Sequence, residues 1–596
     1  MCGINGILQL HAGRDRIVQS ELLKTRDYMT LRGPDACGEW VSPSGEIGLG
    51  HRRLAIIDLS PSGNQPMSWG DGRYWITYNG EIYNYRELRT ALEREGIVFR
   101  SQSDTEVILA LYARDGLRML SRLRGMYAFG LWDEQEHRLV LARDPYGIKP
   151  LYYAAEGGYL RFASQVKALE ASGAVSREVD PAGVAGFLMW GSVPEPYTIR
   201  RAVRALPAGH YLVVEAGRPT EPKQHRSIAE TAGQPAATCE SALMDTVRVH
   251  LVADVPVAIF LSAGLDSGLL AALACRHLSE PPDTLTIRFQ RFIGTPYDEG
   301  PLAAEVARRL GTHHTERLVS RQDFPDLWAK VISSMDQPSV DGFNTYVVST
   351  LAREAGVKVV LSGLGGDELL GGYRSFQEVP RWARWVRRGE WIPGLRRNWG
   401  HLARWARPNQ PKLNGLLTYG STAPGAYFLR RGLFLPEELP RIIDPDIAQA
   451  GLAAYDPVFD AGKILREQPA GRMTGPNGWT QVHLMESAQY MRNQLLRDAD
   501  WASMAHSLEL RVPFVDLRLR DQLASLQFEP ARSQGKAATV QQVAPGLPPA
   551  LWTRPKSGFF MPVMEWLEEA EPIAEAPQWG HDARRLAQRV LKQFAN

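Results

Sequence analysis

The spacing of apolar residues changes character near residue 240, and that change confines the chain to two different kinds of sheet. Up to about residue 210, β-rich runs alternate with polar turns. MYAFGLWDEQEHRLVLARD is two runs around a turn, LYYAAEGGYLRFAS repeats the form around Glu156-Gly157-Gly158, and RYWITYNGEIYN is a third strand, expected to end at Asn79-Gly80. Such runs pair as antiparallel hairpins. Helical spacing in NYRELRTALEREG puts helices beside them, so stacked antiparallel sheets flanked by helices are expected. After the change the rhythm is strand, loop, helix: VPVAIFL then SAGLDSGLLAALACRHL, DTLTIRF, and VKVVLSGLGGDELL. Short continuous apolar strands followed by glycine-containing loops indicate a buried parallel sheet. The stretch 212–238 is polar and proline-bearing, which predicts a linker between domains at 1–211 and 239–596.

Charge and cysteine usage narrow the partners. The 596 residues carry 68 lysines and arginines against 66 acidic residues, a formal charge of +2, so nothing calls for nucleic acid or an anionic membrane. Cys2, Cys37, Cys239 and Cys275 are widely spaced, with no CxxC pair, which favours a reducing cytoplasm. His11, Arg14, Asp15 and Arg16 interrupt any signal-peptide core in the first twenty residues. VPVAIFLSAGLDSGLLAALAC is long enough to span a membrane but carries Asp266 and two serines at its middle, and is read as strand, loop and helix. The segment 381–407 interleaves tryptophan with arginine. Trp382, Trp385 and Val386 fall at helical spacing, with arginines left for the outer face, which predicts an amphipathic surface insertion rather than a grip on single-stranded nucleic acid.

Three short stretches carry chemistry. Cys2 follows the initiator methionine directly, and by itself it is either a small apolar residue opening a strand or an N-terminal nucleophile. Removal of Met1 would leave it an α-amine of pKa ~8 beside a thiol of pKa ~8.5, so the residue would carry its own base. Position alone leaves both readings open. Ser262-Ala263-Gly264-Leu265-Asp266-Ser267 lies between a buried strand and a helix, where backbone N–H groups and the helix dipole can hold a phosphate chain. The absence of GxxxxGKS/T excludes a P-loop. A second loop, Ser362-Gly363-Leu364-Gly365-Gly366-Asp367-Glu368, brings another carboxylate. At the carboxyl ends of neighbouring parallel strands, Asp266 and Asp367 are candidates to share Mg²⁺ on ATP phosphates. The plainer alternative is two glycine-rich turns whose aspartates cap helices.

Taken together, MCGINGIL, RGPD at 32–35, GHRRLAIIDLS, YNGEIYN, SDTE at 103–106, ARDPYGIKPLYY, DVPVAIFLSAGLDS, DQPSVD, VVLSGLGGDELLGGY, DADWASMAHSLELRVPFVD and RPKSGF resemble the glutamine-hydrolysing asparagine synthetases over nearly the whole chain. The resemblance implies an N-terminal-nucleophile αββα glutaminase domain followed by a parallel-sheet ATP-pyrophosphatase domain with a helical C-terminal part. It implies that Cys2 attacks the glutamine side-chain amide, with Asn79 and Gly80 receiving the oxyanion. Arg53, Glu81 and Asp104 would hold the glutamine, Arg53 on its α-carboxylate and Asp104 on its α-ammonium. Ser262, Gly264, Asp266 and Ser267 would hold the ATP phosphates, Leu261 and Ile287 would bracket adenine, and Ser362 and Gly363 would lie near the nucleotide. Asp266 and Asp367 would bind Mg²⁺, and Lys556 would offset charge as the acceptor carboxylate attacks the α-phosphate.

The expected activity is therefore ATP-dependent amidation of a carboxylate through an acyl-adenylate, with nitrogen from glutamine. Its substrates would be glutamine, ATP and a carboxylic acid, and its assembly a homodimer. Four positions depart from the family pattern: Ala263 replaces a glycine, Trp501 an arginine, Gln165 a glutamate, and Leu364 the usual acid. Leucine has no titratable group and adds apolar surface, so an acceptor bulkier than aspartate, or a biosynthetic amide or hydroxamate synthesis, is the competing expectation. A catalytically inactive relative acting as a binding protein is disfavoured by the intact Cys2, Asn79, Asp104, Asp266, Asp367 and Lys556.

Overall fold

The computed structural model describes residues 2–10, 17–215, 217–230, 236–389, 412, 415–467, 478–526, 535–554, 562–567 and 579–594. Its strands run β1 (Gly3–Gln9), β2 (Ala36–Val41), β3 (Ile47–Arg53), β4 (Met67–Trp69), β5 (Tyr74–Ile82), β6 (Gly125–Asp133), β7 (Arg138–Arg143), β8 (Tyr152–Glu156), β9 (Tyr159–Ala163), β10 (Arg204–Ala205), β11 (His210–Glu215), β12 (Arg218–Pro219) and β13 (Lys223–Gln224) in the first half. The second half contributes β14 (Val257–Phe260), β15 (Asp283–Phe289), β16 (His313–Val319), β17 (Val359–Leu361) and β18 (Glu509–Arg511). The helices that bear on function are α1 (Gln19–Tyr28), α2 (Tyr85–Arg94), α3 (Asp104–Asp115), α4 (Cys239–His250), α5 (Leu265–Cys275), α6 (Gly366–Leu370), α7 (Ser375–Gly389), α8 (Pro457–Arg466) and α9 (Arg497–Met504).

The first half forms two antiparallel sheets, ordered β10-β8-β9-β1-β3-β2 and β12-β11-β7-β6-β5-β4, with β13 also paired to β11. Their facing sides share one core, in which Ile4, Leu49 and Phe162 of one sheet meet Ala128, Trp132 and Leu141 of the other. The Phe162 ring fills slots left by two glycines. A Cβ on Gly6 would stand 2.3 Å from it and one on Gly130 2.5 Å, so both positions are closed to any larger residue. α1 packs outside the first sheet, and α3, with α2 beside it, outside the second. The layers are therefore αββα. The stretch expected as a linker enters this architecture, since β11 continues to Glu215 and β12 and β13 pair with it.

The β6–β7 and β8–β9 hairpins form as their spacing predicts. β5 does not end at Asn79-Gly80. It runs on to Ile82, because Asn79 and Gly80 pair in register with Ala128 and Tyr127 of β6. The dipeptide reads as a turn in isolation, but here the ladder overrides the local preference.

The second half is built on one parallel sheet, ordered β16-β15-β14-β17-β18. The chain lays down β14, then builds outward on one side with β15 and β16 and on the other with β17 and β18. The order thus reverses between β14 and β17, where open parallel sheets leave a crevice at their carboxyl ends. In α7, Val386 is buried and Trp382 half-buried, but Trp385 is 58% exposed. Trp382 and Val386 are four residues apart and share a face, whereas Trp385 is rotated off it. The rest of the 381–407 segment, from 390, lies outside the described residues. Among the described residues no helix is long and apolar enough to cross a membrane.

Candidate functional site

The first site is a cavity at the end of β1 and β5, lined by Cys2, Arg53, Tyr78, Gly80, Glu81 and Asp104, with Glu509 reaching in from the second half. Register brings these residues together. β1 pairs with β3, so Cys2 and Arg53 lie at the same end of the first sheet. The facing sheet presents Asn79, whose Oδ1 accepts from the Cys2 nitrogen at 2.9 Å. The other half of that amide, Nδ2, is buried without a hydrogen-bond partner among the described residues. A buried N–H with no acceptor is costly, and this one lies one residue from Gly80, which lines the cavity with Cys2. Burial raises the Cys2 thiol above its ordinary pKa, against the pull of nearby positive charge including Arg53.

Arg53 is held by the loop that follows it. Nη1 donates to Ser60 O and to Asn64 Oδ1, each at 2.8 Å, and Nη2 donates to the carbonyl of Asp58. Gly63 makes room, since a Cβ there would stand 2.3 Å from Nη2. Asp104 opens α3 and accepts from the Tyr78 hydroxyl at 2.8 Å and the Ile82 N–H at 3.0 Å, while burial raises its carboxyl. Glu81 is buried and raised far more, with the Arg511 guanidinium 3.4 Å away working against the shift. Arg511 also pairs with Glu509 at 2.6 Å. Burial opposes the Glu509 charge, but Arg511, Lys149 and the surrounding positive charge bring its pKa down to about 2. Of the residues predicted for glutamine in the first half, Cys2, Arg53, Gly80, Glu81 and Asp104 therefore line one cavity, and Asn79 is bonded to Cys2 at its edge. Tyr78, Glu509 and Arg511 were not predicted. SLELRVPFVD was visible as a motif, but no spacing in it points across to β5.

The second site lies at the switch point. The loops after β14 and β17 touch: a Cβ on Gly363 would stand 2.8 Å from the Ser267 nitrogen, and one on Gly366 2.2 Å from Asp266 Oδ1. Ser262 and Ser267 bond through their hydroxyls at 2.9 Å, and Ser262 Oγ accepts from the Gly264 N–H at 3.1 Å. Asp266 and Asp367 converge on one atom, Lys536 Nζ, at 2.5 Å each. Burial works against that ammonium, but the two carboxylates hold its pKa above the ordinary value. Two carboxylates meeting on one cation, with glycines at 366 and 372 where a Cβ would overlap them, fit a site for Mg²⁺ on phosphates. Lys536 was missed because SQGKAATV has no motif character. Leu261 and Ile287 are not side by side: each is buried, in a different core cluster. Leu364 is half-buried against the larger of these cores. Lys556 lies outside the described residues.

A buried thiol with an unpaired amide donor in one half, and paired carboxylates at a parallel switch point in the other, is the division of labour of a ligase that draws its nitrogen from glutamine. Residues 1–225 match the glutamine amidotransferase domain and residues 238–591 match asparagine synthase. The chain belongs to the asparagine synthase family. It is 32% identical over 585 residues to the glutamine-hydrolyzing asparagine synthetase 1 of Bacillus subtilis, across 95% of this chain and 88% of that protein. It is 29% identical over 560 residues to asparagine synthetase 3 of the same organism, across 89% and 81%. Over 416 residues it is 33% identical to the amidase chry2 of Gibberella zeae, across 63% and 60%.

Proposed function

We propose that this ligase activates the carboxyl group of a small acid as its acyl-adenylate, releasing pyrophosphate, and amidates it with ammonia set free from glutamine. The observation that carries the reading is the convergence of Asp266 and Asp367 on one cation beside two serine- and glycine-rich loops. Those carboxylates would hold Mg²⁺, which when bound neutralises phosphate charge. Ser262, Gly264 and Ser267 would cradle the phosphates, with Ser362 and Gly363 against the nucleotide. Lys536 would turn from the carboxylates to the phosphate chain, and Lys556 would offset charge at the α-phosphate as the acid attacks.

In the first site, Cys2 Sγ would add to the glutamine amide carbon and pass its proton to the Cys2 α-amine once Met1 is removed. Asn79 Nδ2 and the Gly80 N–H would receive the oxyanion. Collapse breaks the carbon–nitrogen bond, the α-amine returns the proton to the leaving ammonia, and water then cleaves the thioester to glutamate. Arg53, Asp104 and Glu81 would fix the α-carboxylate and α-ammonium of the substrate.

Paired variants test the scheme. Cys2→Ala should abolish glutamine hydrolysis yet form amide from added ammonia, whereas Lys536→Ala should lose ATP–pyrophosphate exchange and keep glutamine hydrolysis. Loss of both activities in either variant would refute the division of labour. Leu364 favours a second reading of the acceptor, because its half-buried side chain replaces a charge with apolar surface worth about 1.5–3 kcal/mol when fully covered. Wild type should then form AMP faster with an apolar carboxylic acid than with aspartate, and Leu364→Glu should reverse the order. Aspartate leading in wild type would rule this acceptor reading out.

A further inference from the structure

A second chamber lies where the two halves meet and shares no residue with either site described above. Its walls come from the first half (Glu195, His210), from the stretch after β13 (Arg226, Ser227), from α8 (Asp460, Lys463) and Glu467 just after it, and from the π-helical stretch Glu486–Leu496 (Gln489, Arg492, Asn493).

The polar groups in this chamber are fixed from behind. Asn493 Oδ1 accepts from the Glu195 N–H at 3.2 Å, Asn493 Nδ2 donates to Gln489 Oε1 at 3.1 Å, and Gln489 Nε2 donates to Asp460 Oδ2 at 2.9 Å. The Tyr455 hydroxyl donates to the same oxygen at 2.9 Å. Asp460 is thereby locked, with Oδ1 taking no hydrogen bond among the described residues. Burial disfavours its charge, which Lys463 and Arg492 partly restore. Glu195 is already neutralised by Arg143, and Arg226 is committed to Asp521 at 3.0 Å. Arg492 is anchored by Nε to Tyr146 O at 3.3 Å, and neither Nη group has an acceptor among the described residues. Lys463 likewise has no ion pair among them. What remains is the Arg492 guanidinium fork and the Lys463 ammonium together with two carboxylates, Asp460 and Glu467, the latter accepting from Gln224 Nε2 at 3.0 Å and Ser227 Oγ at 2.8 Å. A lone anion would meet both carboxylates, and a lone cation both the guanidinium and the ammonium.

We propose that this chamber binds a free α-amino acid as its zwitterion, the carboxylate on Arg492 and Lys463 and the ammonium on Asp460. The ligand would touch both halves and the chain that joins them, so it would act as a sensor on the docked enzyme rather than as a substrate.

The test uses the full-length enzyme and isothermal titration with the proteinogenic amino acids other than glutamine, each paired with its N-acetyl and methyl-ester derivatives. At least one amino acid should bind, and blocking either charge should weaken it tenfold or more, as expected for loss of a charge-assisted contact. Arg492→Ala and Asp460→Asn should each weaken binding by the same order while glutamine hydrolysis stays at the wild-type rate, which also reports that both variants fold. If hydrolysis falls with Arg492→Ala, Arg492→Lys serves as the second variant and should restore hydrolysis with binding still weakened. Absence of binding at about 10 mM, binding that survives both substitutions, or equal binding of a singly charged derivative would each overturn the proposal.

Discussion

At the scale of single residues, Asn79 shows most directly how position becomes chemistry. One end of its amide is spent on the Cys2 nitrogen and the other is kept buried without a partner among the described residues. That arrangement costs stability unless something negative arrives to use the donor. Asn79→Ala should therefore lower kcat for glutamine hydrolysis by about 10²–10³, the usual loss for one oxyanion donor, while ammonia-dependent synthesis stays at the wild-type rate. A loss below tenfold, measured as glutamate release, would remove Asn79 from that role. The resemblance named Asn79, but the sequence by itself hid its setting, because Asn-Gly reads as a turn. Cys2, Arg53 and Asp104 came from the same resemblance, since they lie in MCGINGIL, GHRRLAIIDLS and SDTE, stretches that carry it. Lys536 and Glu509 were not legible, since a lysine or glutamate is ordinary until a distant partner is known.

At the scale of elements, β14, β15 and β17 were readable because their runs are short, largely apolar and followed by glycine-containing loops, whereas β16 (HHTERLV) and β18 (ELR) carry charge and were not. The hairpins of the first half were readable for the complementary reason that polar turns interrupt them. What sequence did not show is how closely the loops after β14 and β17 approach. Gly366 opens α6 directly against Asp266, and any Cβ would fall 2.2 Å from Oδ1. Gly366→Ala should push Asp266 from its place and reduce ATP–pyrophosphate exchange by at least tenfold, a loss of about 1.4 kcal/mol in transition-state stabilisation. Glutamine hydrolysis should be unchanged, because no residue of α6 lines the cavity around Cys2. Normal exchange in this variant would mean that the two loops separate when nucleotide binds.

At the scale of the whole molecule, the antiparallel half and the parallel half are joined by buried charge. Arg32 donates to Asp500 at 2.7 Å and 3.2 Å, and its Nε donates to the Cys2 carbonyl at 3.2 Å. Arg32 is 2% and Asp500 4% exposed, so neither finds water if the other is lost. Composition could not show this pair, whose members are 468 residues apart. Removing one member of a buried pair typically costs about 3–5 kcal/mol, whereas replacing both with apolar residues of similar volume is often near neutral. Arg32→Met alone should therefore lower the denaturation midpoint, raise trypsin cleavage between the halves and slow glutamine hydrolysis, because the strand end bearing Cys2 loses its tether. Arg32→Met with Asp500→Leu should recover most of the midpoint but not the rate of hydrolysis, since the contact to the Cys2 carbonyl is still missing. Recovery of both would show that the pair serves stability alone. Recovery of neither would place its main effect in the neighbouring Lys149, 3.7 Å from Asp500, whose ammonium burial lowers and Asp500 supports.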